Sequence, residues 1–560
     1  MVDYKTPKRD YEFILKEVLD VENQIKGYKG YEEATWDMIE MLSDQYSEVA
    51  TDYWLPSNKD GDELGAQFKD GNVTLPPSMK AASKIIIDSG LTSLFGHKQY
   101  GGMEFPHVFN VFADEISCSS NMALGIYMGL TKGAYHCIHS HGSEDLKNLY
   151  LPKFLSGEFF GTMCLTEAHC GTDLGLIRTT AEEEGDAYRI SGQKIFISAG
   201  EHDLSENIIH LVLARLPDSP EGVKGISLFL VPKILVDNDG NLGDRNNVNC
   251  VSIEEKMGVH GSATCVLSFE NSQGYLVGEP NKGLQAMFSM MNTERIAVGM
   301  QGLGLSEIAY QNGLSYAKDR IQGRDLKEHK NPEMEADPLL VHPDVRRMLL
   351  RSKALIDGSR MLACWTALAV DKSAKDPDPS VRKENSDLVE LMTPIVKALL
   401  TDFGIEITND MLQIFGGHGY IKEYGMEQFV RDARIAPIWE GTNGIQALDL
   451  AGRKMPQGMG RLLRRFFHPV LAFIEQNRND SEMAEFVVPF EKAFRGLQKT
   501  TLFMAQKGLT NPYEIGAAAT DYLRQFGLVA VGYMWLLMIK KAFSRNGSSD
   551  YYKHKIILGR

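Results

Sequence analysis

A chain of 560 residues, 43% hydrophobic and 24% charged, is long enough for several cores and has the make-up of a globular protein, not of a disordered or fibrous one. Its net charge of −15 argues against bulk nucleic-acid binding. Seven cysteines without a repeating spacing fit free thiols in a reducing compartment better than a disulfide framework.

The opening "MVDYKTPKRDYEFILKEVLD" mixes acids and bases and has no apolar run of the secretory kind, so a cytoplasmic protein is expected. Up to about residue 160 the pattern is mainly helical, and Ser143 followed by Glu144 and Asp145 reads as a helix start. His136, His139 and His141 fall close together, but no carboxylate shares their rhythm and Cys137 lies on another helix face. They are read as helix-end histidines, and no metal is expected. From about Phe160 the texture changes to short alternating or β-branched runs, "AYRISGQKIFIS", "IIHLVLARL" and "GISLFLVPK", separated by Gly-bearing polar turns; this predicts antiparallel strands. After "GEPNKGLQAMF" the helical period returns in two long segments, with "KDPDPSVRKENSD" expected as a polar connection between them. Residues 461–560 carry 15 Lys+Arg against 8 Asp+Glu, a net of +7, which leaves −22 on the rest. Because those cations are dispersed, the expected role is a basic helical appendage docked on its own acidic body. The most apolar run, Phe526 to Ile539, is 14 residues long, too short for a membrane span and suited to a buried helix.

Helices, then strands, then helices again predict an α+β multidomain chain and not an alternating α/β one. The expected divisions are an N-terminal extension (1–35), an N-terminal helical domain (36–159), a central antiparallel β domain (160–276), a helical bundle domain (277–455) and a basic C-terminal helical domain (456–560).

"GMQGLGLSE" lacks the preceding strand and spacing of a dinucleotide loop, and neither a G-x-S-x-G elbow nor a P-loop is present. Any hard chemistry therefore belongs to a cofactor bound by other means. In "MCLTEAHCGTDLGLIRTTA" a strand ends at Thr166-Glu167 and a Gly171-Thr172-Asp173 turn follows, with hydroxyls and backbone N–H groups suited to an aromatic ring edge and a diphosphate. "GQKIFISAG" adds an aromatic and another hydroxyl one hairpin later. In "IAPIWEGTNGIQALDL" the carboxylate of Glu440 stands among Ile438, Trp439, Ile445 and Leu448. It reads either as a helix-start acid stabilised by first-turn N–H groups, or as an acid whose pKa an apolar setting raises for chemistry.

"CLTEAHCGTD", "GQKIFISAG", "EEKMGVHGSATC", "KDRIQGRD", "QIFGGHGYIKEYGMEQFVRDARI" and "IWEGTNGIQ" occur in the order and approximate spacing of the acyl-CoA dehydrogenase family, which the chain resembles from about residue 40 to 455. Its opening and its C-terminal domain resemble the enlarged bacterial branch, which includes broad-range and 3-methylthiopropanoyl-CoA dehydrogenases. The resemblance implies FAD, with Met163, Leu165 and Thr166 bordering the ring, Thr172 at the diphosphate and the substrate, and Phe196 with Ser198 covering the ring. Family members commonly have Trp and Thr at those last two positions; Phe keeps the stacking surface and Ser the hydroxyl. Arg320, Gln322, Gln413, Gly416 and Gly417 match positions that hold the FAD of a neighbouring subunit, implying a homodimer or homotetramer. One departure is "RIQGRD", which replaces the usual Arg-x-x-Phe-Gly and precedes a longer loop.

By the same resemblance Glu440 is the general base that removes the α-proton of an acyl-CoA thioester, and its backbone N–H helps to polarise the thioester carbonyl. Gly441 permits close approach of the substrate, Thr442 and Asn443 contact FAD, and Asn292 with Arg295 contacts the CoA portion. Glu294 is the competing base, since some members carry theirs at that position. The implied activity forms a trans-2-enoyl-CoA and passes electrons to electron-transferring flavoprotein. Alternatives are an acyl-CoA oxidase and, because of the basic tail, a DNA-associated flavoprotein of the same fold. The acyl chain, short, medium or broad in range and possibly 3-methylthiopropanoyl, leaves no readable motif, as one methylene is worth only about 1–3 kcal/mol of discrimination.

Overall fold

The protein is described here by a computed structural model that covers residues 2–545 and 547–560, and for residues 289, 292 and 293 the backbone alone. The principal helices and strands follow the expected order. Helices α1 (Trp36–Val49), α2 (Pro77–Asp88), α3 (His107–His141) and α4 (Glu144–Leu155) come first. Strands β1 (Phe159–Cys164), β2 (Thr180–Glu184), β3 (Ala187–Ser198), β4 (Asn207–Arg215), β5 (Ile226–Pro232), β6 (Val248–Ile253) and β7 (Thr264–Val277) follow. Then come α5 (Gly283–Asp319), α6 (Pro343–Lys375), α7 (Pro379–Ile414), α8 (Met426–Ala433), α9 (Asn443–Asp449), α10 (Arg461–Asn477), α11 (Ala484–Gly508), α12 (Pro512–Ser544) and α13 (Asp550–Gly559). Two compact units result: residues 44–105 with 120–294, and residues 1–43 with 106–119 and 295–560.

In the first unit the Ser143 side chain accepts from Leu146 N and caps α4, as its sequence predicts. The seven strands run in the order β6-β7-β3-β2-β4-β1, and β5 pairs with both β7 and β4, so the path closes into a barrel-like ring. Most pairings are antiparallel, as expected, but β1 runs parallel to β4, and so does β2 where Thr180 meets Arg215. The reason is connectivity: the chain leaves β1, builds the β2–β3 hairpin, and returns far enough for β4 to enter in the same direction as β1. The sheet closes over Ile190, Val212, Phe229, Cys265, Leu267 and their neighbours. His136 and His139 lie near the end of α3, where His139 stacks on His97 with ring centroids 3.6 Å apart.

The second unit is helical. α7 begins at Pro379, so the expected thirteen-residue connection shrinks to residues 376–378. Asp378 accepts from Ser380 N at 2.8 Å, and Pro at the first helical position has a preset φ and no N–H to lose. α12 is a 33-residue helix, longer than its apolar run suggests, and it alone among the described residues is long and apolar enough to cross a membrane. Most of that apolar stretch is buried in the protein, and Trp535 Nε1 donates to the Ala354 carbonyl of α6 at 3.0 Å.

The basic tail is matched internally. Arg461 Nε meets Asp387 at 2.9 Å, Arg465 meets Glu384 at 2.9 Å and Arg524 meets Glu406 at 2.7 Å, all three acids lying on α7. Deeper in this unit Arg360 of α6 is fully buried. It donates to Glu115 (2.6 and 2.9 Å), Glu307 (2.7 Å) and Asp357 (3.1 Å). Lys353 and Lys555 join the cluster through Asp357 (2.8 and 2.6 Å) and Asp10 (3.0 and 2.8 Å), tying the N-terminal segment and α13 to the bundle.

Candidate functional site

The site residues divide between the two units, and each group has its own geometry. In the β unit, β1 carries Met163, which is buried, and ends before Leu165 and Thr166, which are half-buried. This end is pinned to β3: Lys194 Nζ donates to the Leu165 carbonyl at 2.9 Å, and Ile195 N donates to the Thr166 carbonyl at 2.9 Å. Lys194 has no exposed surface and pairs with Glu167 at 2.9 Å. Burial works to raise the Glu167 pKa, but Lys194 and the Thr179 and Arg178 donors outweigh it and hold the carboxyl at about 2. Thr172 is exposed in the turn that follows.

Phe196 is set apart by the sheet itself. Lys194 and Ile197 register on Leu267 and Cys265, so Ile195 and Phe196 together oppose Val266 alone, a β-bulge that re-aims a side chain. Phe196 has φ +57° and is 59% exposed. A left-handed aromatic residue costs of the order of 1–3 kcal/mol, and the strand pairing on either side holds it there. Such a flat apolar face beside the half-buried Ser198 and the pinned ends of Leu165 and Thr166 fits the ring of a flavin. Glu294, at the other end of this unit, is buried against α3; a Cβ at Gly133 would lie 2.8 Å from its Oε1.

In the helical unit Arg320 and Gln322 are exposed. The longer loop after "RIQGRD" is folded around Asp337, which accepts from Asp325 N at 2.9 Å and Asn331 N at 2.7 Å, while His342 Nε2 lies 2.7 Å from the Gln322 carbonyl. Gln413, Gly416 and Gly417 form a second exposed group. Gly416 has φ +59°, and a Cβ on either glycine would meet nothing within 4 Å, so packing in this chain does not explain Gly417. Tyr420, next to them, is 85% exposed.

Glu440 lies three residues ahead of α9 and is not its cap. Thr442 is the cap and accepts from Ile445 N at 3.3 Å. Glu440 has φ +53° and Gly441 φ +83°, where a Cβ would come within 2.7 Å of Gln446 Nε2. Of the apolar residues near it in sequence, Trp439 and Ile445 are half-buried, whereas Ile438 and Leu448 are 47% and 43% exposed. Polar side chains hold the backbone of its turn. Arg295 Nε and Gln446 Nε2 donate to the Glu440 carbonyl at 3.4 and 3.2 Å, and Lys397 Nζ donates to the Gly441 carbonyl at 2.9 Å. Asn443 Nδ2 donates to Asp402 Oδ1 at 2.7 Å. Desolvation raises the pKa of the Glu440 carboxyl, with Arg295 and Lys397 opposing.

The structure therefore brings Arg295 to the backbone of Glu440, with Gly441, Thr442 and Asn443 in the same turn, and places the residues from Met163 to Ser198 together in the β unit. The Asn292 side chain lies outside the described residues. Lys397, Asp402 and Gln446 are absent from the sequence-based set. The available signal was a single cation in the apolar run "TPIVKALL" of α7.

Family models agree with this order of parts. Those for the acyl-CoA dehydrogenase N-terminal, middle and C-terminal domains match residues 39–158, 162–272 and 281–455, and one described as acetyl-CoA dehydrogenase C-terminal like matches 466–560. The chain is 44% identical over 470 residues to 3-methylmercaptopropionyl-CoA dehydrogenase of Ruegeria pomeroyi, covering 84% of this chain and 79% of that protein. It is 33% identical to a butyryl-CoA dehydrogenase of Syntrophomonas wolfei, covering 100% of this chain and 94% of the relative. Caenorhabditis elegans ACDH-11 in complex with C11-CoA, 19% identical, shares the fold with a TM-score of 0.81 over 100% of this chain and 91% of that one. The chain belongs to the acyl-CoA dehydrogenase family, whose members are FAD oxidoreductases.

Proposed function

We propose that Glu440 is the base in FAD-dependent α,β-dehydrogenation of a short acyl-CoA, with a 3-methylthiopropanoyl or similar short chain as substrate. The observation that carries the reading is the Glu440 turn: a left-handed acid, costly to hold, whose carboxyl is desolvated and whose pKa is raised toward a working pH. The carboxylate takes the α-proton while the β-hydrogen leaves with its electron pair, so two hydrogens depart and one carbon–carbon double bond forms. Bound FAD supplies the acceptor for that hydride. By the family resemblance Met163, Leu165, Thr166, Thr172, Phe196, Ser198, Thr442 and Asn443 would contact the cofactor. The Glu440 N–H would polarise the thioester carbonyl, and Arg295 would attract the CoA portion.

The short-chain substrate is supported by the printed activities of the relatives, a thioether-bearing propanoyl and a butanoyl thioester. Electron-transferring flavoprotein as acceptor and a cytoplasmic homodimer or homotetramer complete the reading. Arg320, Gln322, Gln413, Gly416 and Gly417 would meet the FAD of the neighbouring subunit, and their exposure beside Tyr420 supports such an association. Anaerobic titration of the yellow protein with acyl-CoAs from butanoyl to palmitoyl, including 3-methylthiopropanoyl-CoA, tests the chain; strongest bleaching by palmitoyl-CoA would overturn the short-chain assignment. Glu440→Gln tests the base: the variant should hold FAD and resist reduction by every thioester. Near wild-type turnover would transfer the role to Glu294.

A further inference from the structure

Lys397 lies on α7 with no exposed surface. Its Nζ donates at 2.9 Å to the Gly441 carbonyl and at 2.9 Å to Asn443 Oδ1. Within the next five residues of α7 the Asn443 amide finds its other partners: Nδ2 donates to Asp402 Oδ1 at 2.7 Å, to Thr401 Oγ1 at 3.0 Å and to the Ala398 carbonyl at 3.2 Å. Gln446 and Arg295 hold the Glu440 carbonyl, and Gln446 also reaches the Gly441 carbonyl at 3.3 Å. The two peptide units after Glu440 are therefore each held by side-chain donors. That is what a non-glycine residue at φ +53° requires, since a strained backbone persists only where its surroundings over-determine it. An amine is a poor choice for filling a buried space beside Ile395, Val396 and Leu399, because its desolvation is costly and a methionine would fill the same volume.

We propose that Lys397 is a positioning residue for proton abstraction: by holding the Gly441 carbonyl and the Asn443 side chain it fixes the turn that aims the Glu440 carboxylate. This rests on Glu440 being the base. Burial pushes the Lys397 pKa down to about 7, with Glu440 and Asp402 opposing that change, and the charged amine in turn lowers the Glu440 pKa. The lysine therefore acts on the orientation of the base and on its titration.

The test uses FAD-loaded enzyme. Lys397→Met keeps most of the bulk of the side chain and removes both donations. It should lower kcat about 10–100-fold, the size expected for a misplaced reacting group, with FAD content unchanged. KM should stay within about 2-fold, because the lost interaction aims the base and does not bind substrate. The acid limb of the pH–rate profile should move upward, since Glu440 loses a neighbouring cation. Lys397→Gln, which keeps an N–H donor without the charge, should recover most of kcat and leave the limb displaced. Wild-type kcat and an unmoved limb in Lys397→Met would overturn the proposal. Loss of FAD in step with activity would also overturn it, by making the lysine a support of the cofactor. If Lys397→Met does not fold, an unmoved limb in Lys397→Gln is the overturning result. Glu440→Gln measured alongside separates the two readings. An active Glu440→Gln means the base is elsewhere, whereas an inactive one beside a wild-type Lys397→Met removes only the positioning role.

Discussion

Two buried groups of charges in the helical unit are built on opposite terms. Around Arg360 pairing outweighs desolvation: burial works against every charge there, yet Arg360 and Lys353 are held above their ordinary pKa values and Asp10 and Glu307 below theirs. Only Glu115 is raised, by burial. Around Glu440 desolvation wins. Its carboxyl is raised, Lys397 falls to about 7, and Asp402 is also raised by burial. A cluster whose charges are locked by pairing builds structure, while one poised near neutrality can exchange a proton.

The contrast can be broken most sharply at Glu440. Glu440→Gln should lower kcat by about 10²–10⁴-fold, the usual worth of a positioned base, with little change in the denaturation midpoint. Arg360→Met should do the reverse. Leaving Glu115, Glu307 and Asp357 buried without their shared cation should cost about 3–5 kcal/mol in a denaturant titration, and molecules that remain folded should keep the wild-type pH profile. Lys397 gives a smaller, pH-dependent effect. Its proton leaves near pH 7 in the folded state and near 10.5 when unfolded, so between those values the unfolded chain holds more protons and stability rises with pH. The rise should be at most about 1.4 kcal/mol per pH unit and absent in Lys397→Met. Phe196→Ala should weaken FAD retention by about 0.5–1.5 kcal/mol, read by equilibrium dialysis, and change the stability of the protein little, because the ring removed is largely exposed. Arg461→Ala, removing a partly exposed partner of Asp387, should shift stability by only about 0.2–1 kcal/mol in thermal unfolding.

What the sequence made legible follows from local patterns. The order of helices and strands, the Ser143 cap and the buried character of the Phe526–Ile539 run rest on periodicity and capping chemistry, and the structure keeps them. The start of α7 was missed because a Pro-bearing polar stretch reads as a loop unless Asp378 is recognised as a cap in front of Pro379. The parallel pairing of β1 with β4 depends on where a distant strand returns, which alternation does not encode. The family resemblance singles out Glu440, but not its surroundings. Ile438 and Leu448, adjacent in sequence, face outward, and Lys397, 43 positions earlier, reaches the turn through folding alone. The Arg360 cluster was invisible for the same reason, as its members span residues 10 to 555.

The docked tail bears on the chemistry through one helix. Arg524 of α12 pairs with Glu406 and its charge is felt by Asp402, the acceptor that anchors Asn443. Cutting the chain before its last four helices would therefore loosen more than a remote ornament: it would unbalance the rod that carries both the lysine and the aspartate beneath the reacting turn. A trimmed enzyme would need new partners along the outer side of that rod before it could work at full speed.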